Sequence, residues 1–146
     1  MLKQITVFLE NKPGRMEEVA SCLAEANINL HALSLADTTD FGILRIIASD
    51  TKKAMTVLKD KNFMAKTTEV IAVAIGHNPG SLHKVLRELN SPDISIEYIY
   101  AFTSRHKEYD AIVILSVGNQ AAVIEKLKSG GLVLLNENLI DQINQS

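Results

Sequence analysis

Two short loops hold the residues best placed to do chemistry. The first reads Glu10-Asn11-Lys12-Pro13-Gly14-Arg15-Met16, and the second Gly76-His77-Asn78-Pro79-Gly80-Ser81-Leu82. In each, an alternating apolar stretch ends, Pro-Gly follows, and residues at helical spacing begin. Glycine permits a left-handed backbone and the close approach of another molecule. The first N–H groups of a helix have no partner within the helix, and the helix dipole favours an anion beside them. A ligand carboxylate suits that position, and Asn11 and His77 or Asn78 could bond an amino group or a carboxylate. This chemistry fits an amino acid. Pro at a helix start and Gly in a tight turn are also ordinary punctuation, so either loop could be purely structural.

The remaining reactive residue types form no catalytic set. Cys22 falls among core-type positions of a helix and reads as an inert buried thiol. His31, His77, His83 and His106 lack the spacing of metal ligands. His31 sits mid-strand, out of phase with Leu30 and Ala32, which suggests an outer face or an interface. Asp37 and Asp40 flank Thr38-Thr39 as in a turn closed by Asx bonds. Tyr98, Tyr100 and Phe102 could line a pocket but also suit a core, and Arg45 interrupts an apolar strand. A phosphate loop, a Ser-His-Asp set and paired acids are all missing from the sequence, so no catalytic residue is assigned and no cofactor or metal is expected.

The elements that position the two loops repeat. Pro13 and Pro79 stand 66 residues apart, and the same offset relates Ile5, Val7 and Leu9 to Ile71, Val73 and Ile75. It also relates Val19 to Val85, Leu23 to Leu89 and Ile28 to Ile94. Beyond the loop at Thr38–Asp40 the offset grows by two, placing Phe41–Ile47 against Tyr109–Leu115. Length changes of this kind belong in loops.

Each copy reads as strand, helix, strand, strand, helix, strand. Period-two apolar residues mark the first strand and helical spacing the first helix. Asn27, and in the second copy Pro92-Asp93, should end that helix. The second strand is expected over Ile28–Ala36 and Ile94–Phe102, with Ile94, Ile96, Tyr98, Tyr100 and Phe102 on one face. The third is expected over Phe41–Ser49 and Tyr109–Val117. A second helix should start at Asp50-Thr51 and Gly118-Asn119 and run through Lys59 and Lys128, the latter stopped by Ser129-Gly130-Gly131. The fourth strand should lie near Phe63–Thr68 and Leu132–Leu135, and the tail Asn136–Ser146 could form a closing helix. This order is α+β and ferredoxin-like, with domains 1–69 and 70–146. Val70–Ile75 and Ala111–Leu115 are apolar on both faces, from which a second chain covering the helix-free face is inferred.

Composition fits a protein acting in the cytoplasm. The chain has 146 residues, 47% hydrophobic and 22% charged, with a net charge of −2 and one cysteine. That balance gives no general attraction to nucleic acid or to anionic membrane, and the apolar runs are too short to span a bilayer.

The pattern strand–Asn-x-Pro-Gly–helix–Ala26-Asn27-Ile28-Asn29-Leu30–strand resembles the ACT domain, a ligand-sensing module attached to many amino-acid enzymes. The segments Ala36–Arg45 and Ile96–Phe102 are similar to those of stand-alone paired ACT proteins of prokaryotes, which lack a catalytic domain. The resemblance implies two units side by side in an eight-stranded antiparallel sheet with helices on one face. It implies ligand sites at the seam between units. One would use Asn11, Lys12, Pro13, Gly14 and Arg15 with Ser95 and Ile96. The other would use His77, Asn78, Pro79, Gly80 and Ser81 with Asn29 and Leu30. His77 and Ser95 replace the asparagines of the first copy, so the two sites are not equivalent. The function implied is regulatory sensing of an amino acid by a homodimer, with a regulated enzyme as possible partner. The alternatives are an interaction module without ligand and an enzyme of undescribed type. The repeats use up the chain and leave no helix-turn-helix segment, so direct DNA binding is not expected.

Overall fold

The computed structural model describes residues 1–38, 40–104 and 108–138. The chain divides into two compact units. One comprises Lys3–Thr68, and the other Glu69 to the C-terminus together with Met1–Leu2.

The first unit is built from β1 (Leu2–Glu10), α1 (Arg15–Glu25), β2 (Leu30–Asp37), β3 (Phe41–Ala48), α2 (Thr51–Asp60) and the beginning of β4 (Met64–Ile75). β3 lies between β1 and β2 and is antiparallel to both. The helices cover one face of this sheet. Ile5, Val7 and Leu9 of β1 and Leu44, Ile46 and Ala48 of β3 form one core with Val19, Cys22 and Leu23 of α1 and Ala54 and Leu58 of α2. Each fully buried aliphatic side chain here contributes about 1.5–3 kcal/mol.

The second unit repeats this plan with β4, α3 (Ser81–Glu88), β5 (Ile96–Thr103), β6 (Ala111–Val117), α4 (Gln120–Ser129) and β7 (Val133–Leu135). β6 lies between β4 and β5, and β7 pairs with the other edge of β4. Its core joins Ile71 and Val73, Val113, Leu115 and Val117 to Val85 and Leu89 of α3 and Val123 and Leu127 of α4.

Four expectations are corrected. The described residues contain seven strands, not eight, because the fourth strand of the first copy and the first of the second are one continuous strand, Met64–Ile75. The polar run Thr67-Thr68-Glu69 does not interrupt it, since ladder pairing uses backbone groups. Helix α3 ends at Glu88, with Leu89 as its C-cap, so Pro92-Asp93 lies beyond its end. Leu89 and Asn90 donate to the carbonyls of Leu86 and Arg87 at 3.2 Å, a tight last turn that closes the helix early.

The third correction concerns β2 and β5. Each carries a bulge at the same repeat position. Leu30 faces Ala48 but Ala32 faces Ile47, and Ile96 faces Val117 but Tyr98 faces Ser116. One extra residue, His31 or Glu97, reverses the phase of everything after it. Ile96 therefore shares the helix-side face with Val117, whereas Tyr98, Tyr100 and Phe102 stand opposite Ser116, Ile114 and Ile112 on the other face. Buried Ser116 donates to the Glu97 carboxylate at 2.9 Å, which fastens the bulge. Leu30 and Ala32 likewise point to opposite faces.

The fourth concerns the helix-free face of the second unit. Val70, Ala72, Ala74, Ile112 and Ile114 are already buried in a single chain, so their apolarity does not itself require a second one. The turn between β2 and β3 is closed by Thr38, whose hydroxyl donates to the Phe41 carbonyl and accepts from the Phe41 N–H. Thr39, His106 and the expected tail helix from residue 139 onward lie outside the described residues.

Helix ends follow local chemistry. The Asp50 carboxylate accepts from the Lys53 N–H at 3.0 Å, and the Asn119 side chain from the Ala122 N–H at 3.3 Å. Left-handed Asn27, at φ 58°, ends α1, and the Ile28 N–H returns to the Leu23 carbonyl at 2.9 Å. Asn62 and Gly131, at φ 64° and 77°, do the same after α2 and α4. Removing the caps by Asp50→Ala or Asn119→Ala should cost about 1 kcal/mol each in urea denaturation. Gly118→Ala, at a position with open space for a Cβ, should change stability by less than about 0.5 kcal/mol.

Candidate functional site

In the first unit the chain leaves β1 at Glu10 and enters α1 at Arg15. Lys12 N–H turns back to the Glu10 carbonyl at 2.8 Å, and Gly14 occupies the left-handed region at φ 84°. No side chain caps the helix start, which leaves its first turn open to an outside acceptor. A Cβ on Gly14 would meet nothing within 4 Å. Glycine is needed there for its backbone angle and not for room.

Beside this turn lies a pocket of about 330 Å³. Asn11, Lys12, Pro13 and Arg15 of the first loop form one wall. Leu35, Asp37 and Gly42 form the other, and sequence reasoning missed all three. They arrive through strand pairing, since Leu9 lies opposite Gly42, and Gly42 opposite Asp37. A Cβ on Gly42 would come within 3.2 Å of Leu35 Cδ1, so glycine lets Leu35 lie across β3. Asn29 and Leu30 sit at the far end of this sheet, where Leu30 faces Ala48. Ser95 and Ile96, both exposed, hold the same place in the second unit.

Two ion pairs lie at the pocket. Lys12 Nζ lies 3.0 Å from Glu10 Oε2, and Arg15 Nη1 2.6 Å from Glu18 Oε2. The Lys12 hydrogen bond, then the positive charges of Lys12 and Arg15, hold the Glu10 carboxyl below its ordinary value. The Arg15 guanidinium also lies 4.6 Å from the centre of the Phe63 ring, a cation–π contact that holds the side chain down.

The second loop has the same backbone and a different floor. Gly80 is left-handed at φ 93°, and α3 also starts without a side-chain cap. Where the first unit has Gly42, the second has Asp110. Its carboxylate accepts from the His77 N–H at 3.1 Å. Ser81 Oγ accepts from the Asn78 N–H at 3.3 Å, and the Ser81 N–H donates to the Asn78 carbonyl at 3.1 Å. This loop thus already carries an anion of its own. His77, Asn78, Pro79 and Gly80 are exposed, and Ser81 is half-buried.

A family model for the ACT domain pair matches residues 1–143. The chain belongs to this family. Among solved structures, protein BT0572 from Bacteroides thetaiotaomicron is 41% identical, with 96% of this chain and 95% of that chain covered and a TM-score of 0.86. The ligand-free regulatory subunit of aspartate kinase from Thermus thermophilus shares the fold at 16% identity, covering 88% of this chain and 91% of that chain with a TM-score of 0.63. The regulatory subunit from Thermus flavus, at 16% identity over 88% of this chain and 91% of that chain, gives a TM-score of 0.58. The comparison with curated proteins gave no match.

Among the described residues of this ACT pair, no cluster of His, Cys, Asp and Glu could hold a metal, and no helix is long and apolar enough to cross a membrane. Cys22 is buried, its Sγ 3.2 Å from the Val19 carbonyl, and burial raises its pKa. It is poorly suited to be a nucleophile.

The Glu10 shift has a defined sign. A carboxyl whose folded-state pKa is lowered adds stability above its unfolded value and loses it as pH falls through the folded one. The window therefore lies below 4.5, the ordinary value. An NMR titration should place the Glu10 midpoint below 4.5, and Lys12→Gln should return it towards that value. A midpoint unmoved by the substitution would contradict the pairing.

Proposed function

We propose that this ACT pair is a regulatory sensor of an amino acid, without catalytic activity of its own, and that its working site is the loop pocket of the first unit. The observation that carries the reading is the contrast between the two loops. Both helices start without a side-chain cap, but the first loop borders an open pocket, whereas in the second the Asp110 carboxylate is held against the His77 N–H. A ligand carboxylate would sit at the open start of α1, and its ammonium would face Glu10 and the Asn11 side chain. Asn29 and Leu30 lie at the far end of the sheet from this pocket and are not assigned to it. The second-loop residues His77, Asn78, Pro79, Gly80 and Ser81 are proposed as a structural counterpart. The family and the likeness to a regulatory subunit of aspartate kinase support a role in controlling an enzyme, in the cytoplasm. Binding would act by favouring one of two arrangements, which requires unequal affinity for them.

A thermal-shift screen against the twenty amino acids should give a hit, since a ligand of the native state raises the melting temperature by mass action. Calorimetry with that ligand should give one site per chain. Asp110→Gly should leave the first site unchanged. Two equivalent sites in the wild type would refute this contrast between the loops, and no hit from a well-folded protein would refute the sensor reading.

Self-association belongs to the same proposal. β2 pairs on one side with β3 and stands at the end of the strand order. Its Leu33 and Leu35 are each 50% exposed, and an apolar edge strand is a template for another chain. Analytical ultracentrifugation should show a dimer, and Leu33→Lys should shift it towards monomer. A wild-type monomer at high concentration would exclude this assembly.

A further inference from the structure

We infer that the first-unit site selects an α-amino acid with a bulky aromatic side chain, an inference that rests on the sensor reading above. A second pocket, of about 450 Å³, adjoins the loop pocket and shares Leu9, Glu10 and Arg15 with it. Phe8, Phe41 and Met64 supply the rest of its apolar lining, with Asn62 at its edge. The volume falls in the range of small-molecule sites, roughly 300–1,000 Å³.

The two pockets divide the work that an amphipathic zwitterion needs. Glu10 and the uncapped start of α1 offer opposite charges for the ammonium and the carboxylate. On the other side of Glu10 and Arg15 lie the apolar side chains of Phe8, Phe41 and Met64, with Lys66 Nζ 5.7 Å from the centre of the Phe8 ring. The Phe8 and Phe41 rings meet edge to face, with centroids 5.8 Å apart and planes at 76°. With Lys66 over the Phe8 ring, Phe41 is the ring of the pair left to meet a third aromatic ring. Met64, 71% exposed, and Phe41, 38% exposed, stand at this pocket. A thioether favours contact with an aromatic edge, and a ring seated here would cover both side chains. Glycine or serine would leave the pocket empty. A charged side chain would give up its hydration on entering this apolar lining.

Calorimetry with L-phenylalanine, glycine, L-serine, L-aspartate and L-lysine tests this. Phenylalanine should bind at least about tenfold more tightly than the others. Hydrocinnamate and phenethylamine, which lack the ammonium and the carboxylate respectively, should each bind more weakly than phenylalanine. Met64→Glu alters an exposed side chain, so the fold should survive, which circular dichroism checks. It should weaken phenylalanine binding about tenfold and leave glycine unaffected. A small or charged amino acid binding as tightly as phenylalanine, or Met64→Glu leaving phenylalanine unchanged, would overturn the aromatic pocket while the sensor reading stood. If none of the twenty amino acids binds, both fall.

Discussion

Between Glu10 and Arg15 the chain must leave a sheet and start a helix within four residues, and the turn is made by a left-handed backbone at Gly14. A side chain there would strain the backbone by about 1–2 kcal/mol, although there is open space for it. The turn directs α1 back across the sheet, so Val19, Cys22 and Leu23 meet the inward residues of β1 and β3. It also leaves the helix start without a side-chain cap. Core and candidate site thus depend on the same few dihedral angles, and Gly80 repeats the arrangement in the second unit.

The duplicated plan has diverged at this point. Glu10 and Gly42 face the first loop; Gly76 and Asp110 stand in the equivalent places of the second. A carboxylate remains near each loop but comes from a different strand. On the first strand, it pairs with Lys12 and leaves the helix start open. On the third, it accepts directly from the His77 N–H of the loop, and the start of α3 stays uncapped as well. Two loops of the same backbone geometry therefore hold their carboxylates in different ways.

Much of the architecture was legible in the sequence. The 66-residue offset, the Pro-Gly turns and the caps at Asp50 and Asn119 named the elements and their order, because period, turn chemistry and capping are local. The bulges at His31 and Glu97 were not legible. One added residue changes neither composition nor strand length, and its effect appears only against the partner strand. The unbroken β4 was hidden for a related reason, since polar residues at Thr67–Glu69 look like a boundary although the backbone continues. At the candidate site the loop itself was readable. Leu35, Asp37 and Gly42 reach it by strand pairing across a turn, and only the exchange of Gly42 for Asp110 in the repeat alignment could have drawn attention to them.

The paired bulges also carry a chronology. The same single-residue slip stands at the same repeat position of β2 and β5. Two independent insertions at one place are improbable, so the slip was inherited from a single ancestral unit before it was copied. The contrast between Gly42 and Asp110 must be younger, because it distinguishes the copies. The strand geometry was settled first, and the two loops acquired their separate characters on a scaffold that was already fixed.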